Sequence, residues 1–104
     1  MSTQQRKSFN GLTDAQLERL ALVIEECAEV QQIACKVLRH GYSSNNQGKL
    51  AEINRHALAR EVGDLLHVID RLINARDIDG LSVATHSSRK AAQIDSWLHY
   101  QGSD

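Results

Sequence analysis

The sequence predicts an all-α protein, an antiparallel helical bundle that assembles as a dimer or a higher oligomer. Apolar residues recur with helical rather than alternating spacing, and the chain has no proline to interrupt a helix. The first helix is also apolar around most of its circumference, more than the other helices of a short chain can cover. We expect a single domain over residues 1–104, with its core at about 13–100.

The first helix has clear signals at both ends. Thr13 is followed three residues later by Gln16, the pattern of a capping box, so the helix is expected to start at Asp14. It is expected to run to about His40, because Gly41 supplies a C-terminal stop.

Two further helices are expected. Residues 41–49 are rich in turn formers and predict a loop, after which a second helix runs from about Leu50 to Arg76. Ser82 is the expected cap of a third helix that runs to about Tyr100. Such helices bury their apolar stripes only against each other, which predicts the bundle.

Composition excludes several classes of partner. Of the 104 residues, 24% are charged and 41% hydrophobic, and the formal net charge is -1, so nothing favours nucleic acid or an anionic membrane as partner. No apolar stretch approaches the ~20 residues of a membrane span, and the N-terminus lacks the apolar region of a secretory signal. We therefore expect a cytoplasmic protein. Cys27 and Cys35 are interpreted as small apolar core residues in a reducing compartment.

The apolar first helix contains three glutamates within five residues. On a helical wheel, Glu26 falls inside the apolar arc, between Ile33 and Val37, and Glu29 falls at the edge of the arc, about 60° away. Glu25 lies further round, on the polar side. Two of the three carboxylates are thus expected to face a packed surface, where an unpartnered charge is costly.

The second helix repeats this arrangement. Glu61 falls between Val68 and Leu72, inside the apolar arc, and Asp64 lies at its edge about 60° away. The opposite face carries polar residues: Arg60, His67, Asp70, Arg71 and Asn74. Both helices therefore carry an acidic pair at i, i+3 on the face expected to pack inward.

The four inward acids have two interpretations. Each could form a buried salt bridge or lie at a helix boundary. The inward faces carry no Lys or Arg, however, so the four carboxylates are expected to meet without a countercharge from the protein. Like charges a few ångströms apart do not all stay ionised in a low dielectric unless a cation neutralises them. All-oxygen ligation favours a hard divalent ion, Mg²⁺ or Mn²⁺ in its place. The sequence therefore predicts a metal site.

The same residues resemble a known family. EECAE followed by EVGD resembles the EExxE…ExxD pattern of the MazG-like, all-α nucleoside triphosphate pyrophosphohydrolases. LALVIEECAEVQQIACKVLRHG is similar to the first core helix of that family, LAREVGDLLHVIDRLI to its second, and SSRKAAQIDSWL to the third helix of small stand-alone members. The resemblance covers roughly residues 17–98, and the segment from Gly41 to Asn54 departs from it.

The resemblance implies a Mg²⁺-dependent enzyme that hydrolyses a nucleoside triphosphate or deoxynucleoside triphosphate between its α and β phosphates. Carried over by position, the implied metal ligands are Glu26, Glu29, Glu61 and Asp64, and Glu25 would orient or deprotonate the attacking water. The resemblance also implies a homodimer or homotetramer.

Basic residues are expected to complete a clamp on the leaving pyrophosphate. Lys36 lies about two turns beyond Glu29, and Arg89 and Lys90 lie on the third helix. The alternative for each of the three is a solvated helix face.

Two other functions stay open. Phosphoribosyl-ATP pyrophosphatase is a relative with similar acidic helices that cleaves the same bond. A non-catalytic helical interaction module would use its acids to bind basic groups of a partner, and it predicts neither metal dependence nor nucleotide turnover.

Overall fold

The computed structural model of the chain describes residues 8–45 and 52–102. Within these ranges the protein forms three α-helices, which are α1 (Asp14–His40), α2 (Asn54–Asn74) and α3 (Gly80–Gln93), and then one 3₁₀ turn (Ile94–Trp97). The all-α class is thereby confirmed for the described residues. The backbone forms two compact units, one that extends to Leu72 and one that begins at Ile73.

Helix α1 begins where the capping box predicts. The backbone N–H of Gln16 donates to Thr13 Oγ1 at 3.1 Å, and the Thr13 N–H donates to Gln16 Oε1 at 2.8 Å. Two N–H groups that have no partner inside the helix are thus satisfied reciprocally. The predicted start at Asp14 is confirmed.

Helix α1 ends at Gly41, also as predicted. Gly41 has φ 88° and ψ 166°, a backbone conformation that is essentially restricted to glycine. Its N–H donates to the carbonyl of Val37 at 2.7 Å, which closes the last turn.

Helix α2 begins later than predicted, at Asn54, and the predicted start at Leu50 lies outside the described residues. The Asn54 side-chain amide donates to the Gly41 carbonyl at 3.1 Å, and the Asn54 N–H donates to the Ser44 carbonyl at 2.9 Å. These bonds place the start of α2 beside the end of α1. Further along α2, Glu61 and Asp64 lie beside Glu26 and Glu29, which come earlier in α1, so these two helices run in opposite directions.

The expectation for the third helix was wrong at both ends. Its cap is Asp79, whose Oδ2 accepts the Ser82 N–H at 3.0 Å, so Ser82 lies inside the first turn and donates to the cap. The α-helix ends at Gln93, and the chain tightens into the 3₁₀ turn before Tyr100 is reached. Asp79 and Ser82 are both good capping residues three positions apart, and the earlier one, Asp79, accepts the hydrogen bond from the otherwise unpaired N–H.

The core of the single chain is small. Among the described residues the buried apolar side chains are Ile33, Ala57, Val68 and Leu72. Much of the predicted apolar arc of α1 is exposed, including Leu20, Leu22 and Cys27, and both cysteines are exposed rather than in the core. Helix α3 has no buried residue.

Candidate metal centre

The two helices of the first unit bring four carboxylates together. Helix α1 supplies Glu26 and Glu29, and α2 supplies Glu61 and Asp64, each pair one helical turn apart on one face. One oxygen from each of the four lies within 4.8 Å of the others. Glu61 is buried, Glu26 and Glu29 are half-buried, and Asp64 is exposed. Solvent exposure within the cluster thus increases from Glu61, at the helix interface, to Asp64, at the surface.

This arrangement suits a small divalent cation. Oxygens bound to one Mg²⁺ at about 2.0–2.1 Å lie at most about 4.2 Å apart, so closure of the cluster by less than about 1 Å would let the oxygens share one ion. All four donors are carboxylate oxygens, the type that Mg²⁺ and Mn²⁺ prefer. The residues present therefore fit the ion that the sequence predicts.

Two oxygens of the cluster are buried without a donor. No described residue donates a hydrogen bond to Glu26 Oε2 or to Glu61 Oε2. A buried charged acceptor without a partner costs more than the usual ~1–3 kcal/mol of an unsatisfied polar group. A cation or a proton between the two helices would satisfy these oxygens.

Glu29 is the carboxyl group of the cluster that holds a proton most readily. A hydrogen bond shared with Glu61, together with burial and repulsion from Glu26 and Glu61, raises the pKa of Glu29 from 4.5 to about 7. A proton on Glu29 supplies a donor between two carboxylates that otherwise repel each other. In the absence of metal, the cluster thus holds a proton near neutral pH.

The expectation that the four carboxylates meet without a countercharge from the protein was wrong for Glu61. Arg60 was expected on the opposite face of α2, yet its Nη1 donates to Glu61 Oε1 at 2.7 Å. Nε and Nη2 of the same guanidinium donate to Glu52 Oε1 at 3.2 and 3.1 Å. A helical wheel gives the direction of the Cα–Cβ bond, and the long arginine side chain curves back from there to its neighbour.

A cavity of about 420 Å³ adjoins the cluster on the side of Glu29 and Glu61. Its wall includes Lys36, whose predicted contact with the leaving pyrophosphate stays a prediction. Sequence reasoning missed the other basic residues of the wall, which are Arg39, His40 and Arg60. Spacing could have found His40, because positions 29, 36 and 40 lie on one face of a helix.

A second recess, of about 360 Å³, lies on the side of Glu26 and Asp64. Its lining includes His67 and Arg71, two residues that the wheel placed on the outer face of α2. Both are exposed, so the recess is a surface feature at the rim of the cluster. The carboxylates therefore have cavities with basic residues on both sides.

Asn54 is a further residue that the sequence did not indicate. It is 4% exposed, and its amide lies 3.1 Å from the Gly41 carbonyl and 3.5 Å from that of Lys36. It also lines the larger cavity. By joining the last turn of α1 to the first turn of α2, it fixes how the two acidic pairs face each other.

Three further residues were predicted to belong to the site, namely Glu25, Arg89 and Lys90. Glu25 is exposed and is not among the four grouped carboxylates. Arg89 and Lys90 lie on α3 in the second unit and are exposed, and Lys90 Nζ stands 4.7 Å from the ring centroid of Trp97. Their roles stay predictions.

Comparison of the chain with family models, with curated proteins and with solved structures finds no match. The resemblance to the MazG-like enzymes accordingly rests on the residues quoted above. Among the described residues, no helix combines the length and apolar character that crossing a membrane requires.

Proposed function

We propose that this protein is a Mg²⁺-dependent nucleoside triphosphate pyrophosphohydrolase, which cleaves between the α and β phosphates to give a monophosphate and pyrophosphate. The observation that carries the proposal is the convergence of Glu26, Glu29, Glu61 and Asp64 from two helices, with ligand oxygens within 4.8 Å of one another. Two orphaned buried oxygens in that cluster support a resident cation. The family resemblance supplies the reaction.

The residues divide the work between metal and substrate. The four carboxylates would hold Mg²⁺, which when bound polarises phosphate oxygens and lowers the pKa of water. Lys36, Arg39 and His40 line the adjacent cavity, where the positive charges of Lys36 and Arg39 suit the phosphates of a nucleotide. Phosphoryl transfer depends on this kind of positioning and charge neutralisation more than on covalent chemistry.

The bond changes are those of hydrolysis. Water adds to phosphorus, the α–β anhydride bond breaks, and the bridging oxygen leaves with pyrophosphate. The resemblance alone assigns Glu25 a role toward the attacking water. Glu25 precedes the proposed ligand Glu26 in sequence and is exposed to solvent. Its proposed role is to orient that water or accept its proton.

The proposal includes assembly as a homodimer or homotetramer in the cytoplasm. Helix α3 without a buried residue, and the exposed apolar residues of α1, support a partner of the same kind. Such an antiparallel bundle would complete the core that the single chain lacks.

Pyrophosphate release from a panel of nucleotides tests the function. The full chain is incubated with ribo- and deoxyribonucleoside triphosphates and with phosphoribosyl-ATP, each with Mg²⁺ or with a chelator. We expect Mg²⁺-dependent pyrophosphate from a nucleoside triphosphate. Turnover of phosphoribosyl-ATP alone would assign the relative in histidine synthesis, and no turnover of any substrate would favour an interaction module.

A further inference from the structure

Arg60 connects the acidic cluster to the cavity beside it. Its guanidinium bonds the buried carboxylate of Glu61 through Nη1 and the exposed carboxylate of Glu52 through Nε and Nη2. All three residues line the 420 Å³ cavity. The side chain of Glu61 is 11% exposed, whereas those of Arg60 and Glu52 are 55% and 42% exposed. One end of this bridge is therefore fixed in the helix interface and the other is accessible to solvent.

The contact with Glu61 conflicts with a metal ion on the same carboxylate. Nη1 lies 2.7 Å from Glu61 Oε1, so a divalent cation on Glu61 would stand a few ångströms from a positive guanidinium. The two cations repel each other, and the exposed, flexible arginine moves more easily than an ion held by four carboxylates. The contact with Glu52 does not depend on the metal and keeps the guanidinium at the cavity.

We propose that Arg60 takes the place of the divalent cation on Glu61 in the metal-free protein and is released into the cavity when metal binds, where it binds the phosphate group of the substrate. This inference rests on the proposed metal centre and adds a substrate-binding residue to it. When the bond to Glu61 is broken, Nη1 can bind another acceptor, while Nε and Nη2 keep their hydrogen bonds to Glu52. A guanidinium held in this way presents planar donors to a phosphate oxygen.

The proposal predicts opposite changes in two affinities from one substitution. In Arg60→Gln the competitor for Glu61 is lost, so Mn²⁺ binding measured by calorimetry should tighten about tenfold, the worth of one charge-assisted hydrogen bond. In Mg²⁺-loaded protein the same variant should bind inorganic phosphate about tenfold more weakly, by ³¹P NMR titration. Arg55→Gln is the matched control, because Arg55 lies on the same helix and contacts Tyr42 instead.

The outcomes separate the two proposals. If the wild-type protein binds no Mn²⁺, the metal centre and the role of Arg60 both fail. If the wild type binds Mn²⁺ but Arg60→Gln weakens that binding, or changes it no more than Arg55→Gln does, only the role of Arg60 is overturned. Unchanged phosphate affinity in Arg60→Gln also overturns it. Melting of the metal-free variants, followed by circular dichroism, checks that each one is folded.

Discussion

Glu61 is the residue on which the acidic cluster depends most. It is the buried member of the four, one of its oxygens accepts from Arg60, and the other has no donor among the described residues. A carboxylate in this environment repels Glu26 and Glu29 unless a cation lies between them. In the metal-free protein its charge is therefore repelled by Glu26 and Glu29 and offset by Arg60, and in the metal-bound protein it would hold the ion.

Glu61→Gln should separate these two effects. The variant loses a metal ligand, so pyrophosphate release should fall by more than about 100-fold, since even outer partners of a metal site account for about 10–100-fold. In metal-free buffer the neutral side chain relieves repulsion from Glu26 and Glu29 but also loses the charge-assisted bond from Arg60, so the free energy of unfolding should change by less than about 1 kcal/mol. Asp70→Asn, on the exposed face of α2, should change neither quantity. An equal loss of activity in that control would mean that the cluster is not the reacting centre.

Glu29 gives the metal-free protein a distinctive pH dependence. Its pKa is raised from 4.5 in the unfolded chain to about 7 in the folded one, so between these values the folded state holds more protons. Stability contributed by this group is therefore greatest below pH 4.5 and falls as the pH rises through 7. This direction is opposite to that of an ordinary paired carboxylate.

The measurement compares melting temperatures of wild type and Glu29→Gln with a chelator present. The wild type should lose more stability than the variant between pH 5 and pH 8, and saturating Mg²⁺ should reduce the difference. Identical pH profiles for the two proteins would show that Glu29 ionises normally and that the carboxylates are further apart than in the structure.

At the scale of elements, local signals predicted both ends of α1, a long-range contact set the start of α2, and competing local signals misplaced the start of α3. The capping box at Thr13 and the glycine stop at Gly41 involve residues within a few positions, and both ends of α1 are as expected. The start of α2 depends on the bond from Asn54 to the Gly41 carbonyl, thirteen residues away in sequence, which no local pattern contains. At α3 the choice of Asp79 over Ser82 was a competition between two good caps.

The candidate site divides in the same way. Helical periodicity placed Glu26, Glu29, Glu61 and Asp64 on facing surfaces, because the direction of a side chain follows from its position on the helix. The same method failed for Arg60, whose charged end lies several bonds from Cβ and reaches the adjacent carboxylate. Periodicity locates short acidic side chains better than long basic ones.

The connection between α1 and α2 is testable at Gly41. Gly41→Ala forces a Cβ onto a backbone at φ 88° and ψ 166°, so we expect a loss of about 1–3 kcal/mol of unfolding free energy. Gly63→Ala, in the exposed interior of α2 with open space around its Cα, should instead stabilise the protein by about 0.5–1 kcal/mol. Urea denaturation of both variants measures the two signs. Equal effects would show that the turn at Gly41 is not held as described.

At the scale of the whole molecule, metal and folding should be coupled. A ligand that binds only the native state adds about 2.7 kcal/mol of stability at 100 times its dissociation constant. For a domain of this size each kcal/mol raises the melting temperature by about 4–8 °C. Addition of millimolar Mg²⁺ or Mn²⁺ to chelator-treated protein should therefore raise the melting temperature clearly. The double variant Glu26→Gln/Glu61→Gln should show no rise, and an unchanged wild-type curve would argue against the metal centre.

The exposed face of α1 makes the strongest case for assembly. Ile24 is 72% exposed and Leu38 is 87% exposed, and with three small exposed residues they occupy five of six positions in the alternating spacing of three and four that lines a helix–helix seam, the sixth being Gln31. The small residues are Ala21, Ala28 and Cys35. A two-fold contact along this stripe would bury it on both chains, at about 25 cal/mol for each Å² of apolar surface. The protein should therefore be at least a dimer, with Ile24 or Ala28 in the interface.

Substitution at Ile24 tests this interface directly. Ile24→Glu would place two carboxylates opposite each other across the two-fold axis, so light scattering should show a smaller species and melting should occur at a lower temperature. Ile24→Leu keeps the apolar surface and should retain the wild-type mass. A wild-type mass of 11.6 kDa, that of one chain, at micromolar concentration would contradict the assembly. A wild-type oligomer whose mass Ile24→Glu leaves unaltered would move the interface to another surface, of which α3, with no buried residue of its own, is the next to examine.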